Sequence, residues 1–326
     1  MNPSVPSLQH YVPRFLLKQF GTGKKDYVWV FDKHRQKAFQ VSARKIAAEH
    51  GFYDFSFMGE TLSIEEGLSK LETLAAKVLA DVIDNRTLAE LDATSKGVLA
   101  EFFAVQMVRT RASREQYIHL GEELKRLLEG HPVQQTFFEH DAHFASAAEQ
   151  EKAEISRMVV NAGKTYGPQF FSKDWLLFGT DRKAPFMIGD HPLVLHNDLD
   201  LRPYGNLGLS VKGIQLYFPL NPTLALAMWC PSHRQQIEDG IERLRQLGPT
   251  AANLGPNFGA SLWALKSAFD SGAPARSTPD NVTHFNSLQI AHAARFVISE
   301  SSQFELVKEM LRRNPELRSG RKVEVN

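Results

Sequence analysis

His10 heads the run His10-Tyr11-Val12-Pro13-Arg14-Phe15-Leu16-Leu17-Lys18-Gln19-Phe20, in which a titratable ring is followed at once by stiff backbone. Pro13 fixes its own φ and biases Val12 toward extended geometry, so the imidazole sits on a restrained chain. A ring that titrates near neutral pH can serve as general acid, general base or ligand. The plainer role is a hydrogen bond to backbone beside the first helix. Arg14 adds a cation within the same run that could bind an anionic ligand.

Gln106 and Arg109 lie three apart, so on a helix they share a face with Leu99, Phe102 and Phe103. An Arg in a core stripe needs a carboxylate or an anionic ligand opposite it, because an unpaired buried charge is costly. It is either a phosphate or carboxylate clamp, or a structural bridge to Asp190 or to a Glu of the preceding helix. Gly189-Asp190-His191-Pro192 follows the strand-like Phe186-Met187-Ile188. A carboxylate at a strand end suits catalysis and suits an Asx-turn equally well. His191 beside it could bind a ligand. Asn286 and Gln289, with His292 and Arg295 nearby, place amides in an otherwise apolar helix. There they need buried partners, either a ligand's polar edge or loop backbone.

Two other spacings carry less. Arg114 and His119 have the spacing of a helical ribonuclease motif, but five residues on a regular helix set two side chains about 140° apart. His140 and His143 could hold a metal at i, i+3 spacing, yet no matching ligand pair occurs elsewhere and a solvated helical face explains them, so no metal site is expected. The chain has no Gly-rich phosphate loop, no nucleophile elbow and no paired-Cys zinc pattern. Nucleotide kinases, dinucleotide oxidoreductases and the common serine hydrolases are disfavoured accordingly, and no cofactor is indicated.

The opening run resembles that of the domain-of-unknown-function family 4238 (DUF4238), which begins with a His, a Pro three residues on, and hydrophobics ending in Phe. Gln106 with Arg109-Thr110, Asp190 and Pro192, Pro219, and Asn286, Gln289 and Arg295 are further matches, in order, over about residues 8–299. His191 departs from the pattern, where a small polar residue is more usual. The resemblance implies membership and draws attention to these positions. It implies no reaction.

The elements that must position these residues can be read from periodicity. Tyr27-Val28-Trp29-Val30-Phe31 is rich in β-formers and could pair with 39–41 through a polar turn that includes Asp32-Lys33. Ser63 and Glu66 form a capping-box pattern ahead of a helix over 63–85, whose Ile64, Leu68, Leu71, Ala75, Val78 and Val82 share one face. Residues 94–129 predict one long helix or two collinear ones, apolar nearly all round from Val98 to Val108. Helical pattern continues over 133–164 until Gly167-Pro168 breaks it. Strand-like runs follow at 175–178, 186–188, 193–196, 216–218 and 224–229. Helices are expected at 233–247, 257–269, 281–299 and 303–313. The segment 271–280 is the most linker-like.

Composition bounds the rest. Of 326 residues, 43% are hydrophobic and 23% charged, and the net charge of +1 gives no general pull toward nucleic acid or membrane. One cysteine, Cys230, allows no internal disulfide. With no signal-peptide pattern and no spanning apolar run, a soluble, cytoplasmic protein without a membrane partner is expected.

The expected fold is α+β and predominantly helical, a helical lobe packed on a small antiparallel or mixed sheet. The expected parts are an N-terminal strand and loop segment (1–62) packing between lobes, the helical lobe (63–165), the sheet with late helices (166–313) and a mobile tail (314–326). Threading the first segment between the lobes would bring His10 near Arg109 and Asp190. Two functions fit. In the first, the chain is an enzyme acting on a phosphate-containing substrate, such as a nuclease, with a nucleic acid or nucleotide as partner. His10 is then the general acid or base, Gln106 and Asp190 complete the catalytic set, and Arg109 binds the phosphate. In the second, it is a non-catalytic ligand-binding or protein-interaction module, and the same residues form a structural polar network.

Overall fold

The computed structural model describes residues 8–23, 26–131, 140–199, 207–248 and 259–320. The first strand, β1 (Leu8–His10), pairs antiparallel with β4 (Ala48–His50). Between them come a short helix, α1 (Arg14–Lys18), and the hairpin β2 (Tyr27–Asp32) and β3 (Lys37–Ser42), in register from Tyr27–Ser42 to Asp32–Lys37. Asp32 closes the hairpin turn by accepting from the amides of His34 and Arg35 at 3.0 and 3.1 Å. A second hairpin, β5 (Asp54–Phe57) and β6 (Glu60–Ser63), leads into the helices.

The expected capping box at Ser63 and Glu66 does not form. Helix α2 (Glu65–Asn85) starts after Ile64, with no side-chain cap. Ser63 is instead the last residue of β6, paired with Asp54, and its hydroxyl accepts from Gln9 at 3.3 Å, while Glu66 is drawn to Lys70 at 2.7 Å. Of the expected core face Leu68, Ala75 and Val82 are buried and Ile64, Leu71 and Val78 pack partly buried beside them, while Leu79, which was not expected there, is buried too. Residues 94–129 form two helices, α3 (Ala93–Val108) and α4 (Arg111–Leu127), parted where Thr110 caps α4 by accepting from the Ser113 amide. Helix α3 is buried nearly all round, as its composition requires.

Helix α5 (Ala147–Phe171) begins later than the 133–164 pattern implied and runs through Pro168, where a break was expected; residues 132–139 lie outside the described ones, and 140–146 are not helical. Gly163 and Gly167 explain the continuity. A Cβ at Gly163 would meet the Glu101 side chain at 2.5 Å, so the glycines let α5 lie close along α3. That packing offsets the one backbone bond that proline removes.

Next come β7 (Asp174–Gly179), β8 (Ile188–Gly189), β9 (Val194–His196), β10 (Gln215–Asn221) and β11 (Leu224–Trp229), then α6 (Pro231–Leu247) and α7 (Ala260–Ser271). The chain ends with β12 (Ala275–Arg276), α8 (Pro279–His292), β13 (Phe296–Ser299), α9 (Glu305–Arg313) and a 3-10 turn, Pro315–Ser319. One sheet has the order β12-β7-β11-β10-β9, antiparallel except where β12 joins β7; the other, β3-β2-β13-β8, is antiparallel throughout. The fold is mixed α+β with several small sheets rather than one.

The helix expected over 281–299 therefore stops at His292. Phe296-Val297-Ile298 is a β-forming run that fills the gap between β2 and β8, so the N-terminal hairpin and the C-terminal strand belong to one sheet. Residues 314–320, set apart in the sequence as a tail, pack with Leu317 buried. The segment 271–280 contributes β12 and the cap of α8. Tyr11, Val12, Leu16, Leu17 and Phe20 lie in one core with Leu68, Phe102 and Phe103 of the helices and Leu216 and Phe218 of the larger sheet, so the opening run passes between the layers.

Gly272 ends α7 at φ +70°, and its carbonyl accepts from the Leu88 amide at 2.9 Å. An added Cβ would lie 2.5 Å from the Ala89 nitrogen. Gly272→Ala should cost about 2–4 kcal/mol in urea unfolding, combining left-handed strain with a backbone clash. A loss below about 1 kcal/mol would mean that the 86–91 turn does not press on this glycine as described.

Candidate functional site

Strand β1 and the bend after it leave the carbonyls of His10 and Tyr11 pointing into the core, and α3 answers them. Arg109, 2% exposed, donates through Nη2 to the Glu72 carboxylate at 2.7 Å and to the His10 carbonyl at 3.3 Å, and through Nε to the Tyr11 carbonyl at 3.4 Å. Gln106, one turn earlier, donates to the same Tyr11 carbonyl at 3.0 Å. The Tyr53 hydroxyl lies 3.3 and 3.4 Å from the carbonyls of His10 and Arg109. Burial works against the Arg109 charge, but Tyr53, Glu72 and Glu65 outweigh it and hold the guanidinium above its ordinary pKa.

Gln9 extends the cluster. Its Oε1 accepts from the Tyr53 amide at 2.6 Å and its Nε2 donates to Asp54 at 2.6 Å. The His10 ring is half-buried, with Nε2 3.3 Å from the Ala43 carbonyl. Burial pulls its pKa below 6.5 against the pull of that carbonyl and of Glu72, so it is neutral at physiological pH. Glu65 is pushed up to about 7 by burial and by the Glu72 charge. Arg14 belongs elsewhere, since it faces Asp26 at 3.5 Å.

A second cluster surrounds Asp190, which is fully buried. Its Oδ2 accepts from the amides of Arg295 and Phe296, each at 3.0 Å, while Oδ1 has no hydrogen-bond partner among the described residues. Burial pushes this carboxyl up to about 6, held from going higher by those amides and by the Lys33 charge. Lys33 is itself fully buried, and donates to the carbonyls of Ile290 and Leu317 at 2.7 and 2.6 Å. Burial takes its pKa down to about 8, against the charge of Asp190. Arg295 forks onto Asp32 Oδ2 through Nε and Nη2 at 3.1 and 2.7 Å.

The two clusters meet at two places. Tyr11 gives its carbonyl to the first, and its phenol feels the charge of Asp190 in the second, which with burial raises its pKa. His191 Nδ1 lies 2.6 Å from the Thr110 hydroxyl. Burial, then the neighbouring His292, pushes His191 down to about 3, so the ring is neutral where it meets the Thr110 hydroxyl. On α8, Asn286 accepts from the Met187 amide at 2.8 Å and donates to the Pro185 carbonyl at 3.0 Å. Gln289 accepts from the Gly189 amide and donates to the Pro192 carbonyl, both at 2.9 Å. Gly189 permits that approach: a Cβ there would meet the Gln289 carbonyl at 2.9 Å.

A family model described as a protein of unknown function (DUF4238) matches residues 8–303. The chain belongs to the DUF4238 family. No curated protein and no solved structure matches it. In this DUF4238 chain His10, Gln106 and Arg109 come together, and Asp190, His191 and Gln289 form a neighbouring group. No hydrogen bond joins Asp190 to His10 or Arg109, and Arg14 reaches the first cluster only through its charge on His10.

Lys33, Glu72, Tyr53 and Gln9 were missed in the sequence. Lys33 read as half of a polar turn, and nothing local distinguishes a lysine at a strand end that will be buried by α8 and the last turn. Glu72 was foreshadowed by the need for a Glu of the preceding helix opposite Arg109. The discounted residues are committed elsewhere: Arg114 lies over the Phe52 ring at 4.8 Å and His143 bonds Asp141 at 2.6 Å. Among the described residues no group of three His, Cys, Asp or Glu could hold a metal, and no helix is long and apolar enough to cross a membrane.

Asp190 has a folded pKa above the 3.8 of a free carboxyl, so the folded state keeps a proton that the unfolded state releases between about pH 4 and 6. Its contribution to stability is present below pH 4 and lost as pH rises through about 6. Asp190→Asn keeps an acceptor for the two amides and removes the titration. Relative to the parent, this variant should gain a few kcal/mol on going from pH 4 to pH 7, read from urea melts across that range. Parallel stability curves for the two proteins would show that Asp190 does not titrate in this way.

Proposed function

We propose that this DUF4238 chain is a non-catalytic ligand-binding or protein-interaction module in which His10, Gln106, Arg109, Asp190, Asn286 and Gln289 form a structural polar network. The observation that carries the reading is the commitment of Arg109. Its guanidinium is 2% exposed and donates to Glu72 and to two backbone carbonyls of the opening run. A phosphate clamp needs donors that face a space a substrate can enter. The amides of Gln106, Asn286 and Gln289 are likewise engaged with backbone, and Asp190 with two backbone amides.

The phosphate-processing enzyme weighed from the sequence would require His10, Arg109 and Asp190 around one reacting atom. His10 is half-exposed and neutral, as a general base should be, but the two groups meant to serve it are turned onto the main chain.

The experiment is a paired one. Arg109→Ala leaves Glu72 without its cation and two core carbonyls short of a donor, and should destabilise the fold by about 3–5 kcal/mol. Gln106→Ala should cost about 1–3 kcal/mol through the Tyr11 carbonyl alone. Alongside, the parent protein is assayed on RNA, DNA and nucleotides. An Arg109→Ala protein of unchanged stability, or a hydrolytic activity that His10→Ala abolishes without unfolding the chain, overturns the reading.

A further inference from the structure

Beyond this network the fold opens a cleft of about 880 Å³ that none of the sequence candidates lines. It forms where β7 ends. Gly179 there pairs with Arg276 of β12, and its carbonyl accepts from the Ser277 amide at 2.8 Å. The turn after β7 is shaped by Thr180, whose hydroxyl donates to the Ala184 carbonyl at 2.9 Å. Arg86, at the end of α2, reaches across to Thr223, donating to its hydroxyl at 3.1 Å and its carbonyl at 3.2 Å. A Cβ at Gly179 would sit 3.2 Å from the Arg86 guanidinium and 3.1 Å from Pro274, so glycine keeps this corner open.

The lining is charged one way. Arg86, Lys183 and Arg276 face it against a single carboxylate, Asp181, whose Oδ1 is held by the Lys183 amide at 2.8 Å. Among the described residues none of these three cations has an ion pair with an acidic side chain, whereas the adjacent Arg182 pairs with Glu300 at 3.0 Å. Exposed cations alone are commonly just solvated. Ser277 is what makes the cleft more than that. It lines the same cleft, is 9% exposed, and its buried hydroxyl has no hydrogen-bond partner among the described residues, although its amide is bonded. A buried hydroxyl left unpaired is destabilising unless something arrives to pair with it. The adjoining start of α8 adds little: Pro279 has no N–H, and the amides of Thr278 and Asn281 are taken by a capping box.

We propose that this cleft binds a small phosphate monoester, with Arg276 and Lys183 on the phosphate oxygens, Arg86 completing the positive field and the Ser277 hydroxyl donating a hydrogen bond. Three cations against one carboxylate suit a doubly charged anion, and an Arg fork matches phosphate oxygens in pairs. Ala184, Pro274 and Pro279 supply an apolar wall for the uncharged body of the ligand. The lining has no aromatic side chain on which a base could stack, which favours a compact molecule over a nucleic acid strand. The proposal goes beyond the network reading and does not rest on it.

The test is calorimetric titration of the full chain with glucose 6-phosphate, glucose and inorganic phosphate. The ester should bind saturably and more tightly than inorganic phosphate, more weakly as salt is added, and glucose should not bind. The double variant Lys183→Ala/Arg276→Ala should lose affinity about tenfold or more, at an unchanged ligand-free melting temperature. Ser277→Ala should also weaken binding. Absence of saturable binding by the ester, equal binding by the double variant, or an ester no tighter than inorganic phosphate overturns the assignment. The ligand-free melting temperature reports on the Arg109 network and the titration on the cleft, so the two readings fail separately.

Discussion

The carbonyls of His10 and Tyr11 accept hydrogen bonds in the interior from Arg109 and Gln106, and the fold is arranged around that requirement. A chain segment crossing the middle of a core has no continuous partner strand there, and a buried carbonyl without a donor is costly. β1 pairs with β4 only as far as His10, so the next carbonyls must be met by side chains. Arg109 can do this because its rigid fork of donors reaches two carbonyls and a carboxylate at once. Glu72 lies on α2 and Arg109 at the end of α3, so the same guanidinium ties two helices to the opening run.

The solution recurs at the second cluster. Lys33, Asn286 and Gln289 all spend their polar groups on main-chain atoms, and Asp190 accepts from the amides that start β13. Each contact joins residues some 100 or more positions apart in the chain, as the separations of 257 for Lys33 and 100 for Gln289 show. Backbone groups recur at every residue, so such contacts fix which residue of a loop stands opposite which side chain. A slip of one residue along 185–192 would break all four bonds made by Asn286 and Gln289 together. Buried polar contacts of this kind add specificity of register at least as much as net stability.

Much of the secondary structure was legible because local pattern decided it. The β-forming run at 27–31 and most of the apolar face of α2 survive, since each depends only on residues a few positions apart. Misreadings occurred where a distant contact overrode a local signal. Ser63 looked like a helix cap and became a strand end bonded to Gln9. Pro168 looked like a break and is carried inside α5 by close packing on α3. Residues 296–299 looked helical and were claimed by β2 and β8. The polar candidates were legible by type, because an Arg or an amide in an apolar stripe must have a partner. The partner's identity was not, because it is backbone in nearly every case, and backbone carries no letter of its own.

The same reasoning separates residues that hold the fold from residues left over for a ligand. In the two clusters polar side chains are matched mostly to main-chain groups, and Asp190 Oδ1 and Gln106 Oε1 remain there as single unmatched acceptors. At the end of β7 the mismatch is of another kind: a donor hydroxyl, Ser277, lies among three cations that form no ion pair with an acidic side chain of the described residues, Asp181 being the one carboxylate in the lining. Unmatched acceptors next to Lys33 and Arg109 are already in a positive field and need nothing from outside. A hydroxyl donor in a positive field is well matched by an anion, and Asp181, the carboxylate in the lining, does not bond it.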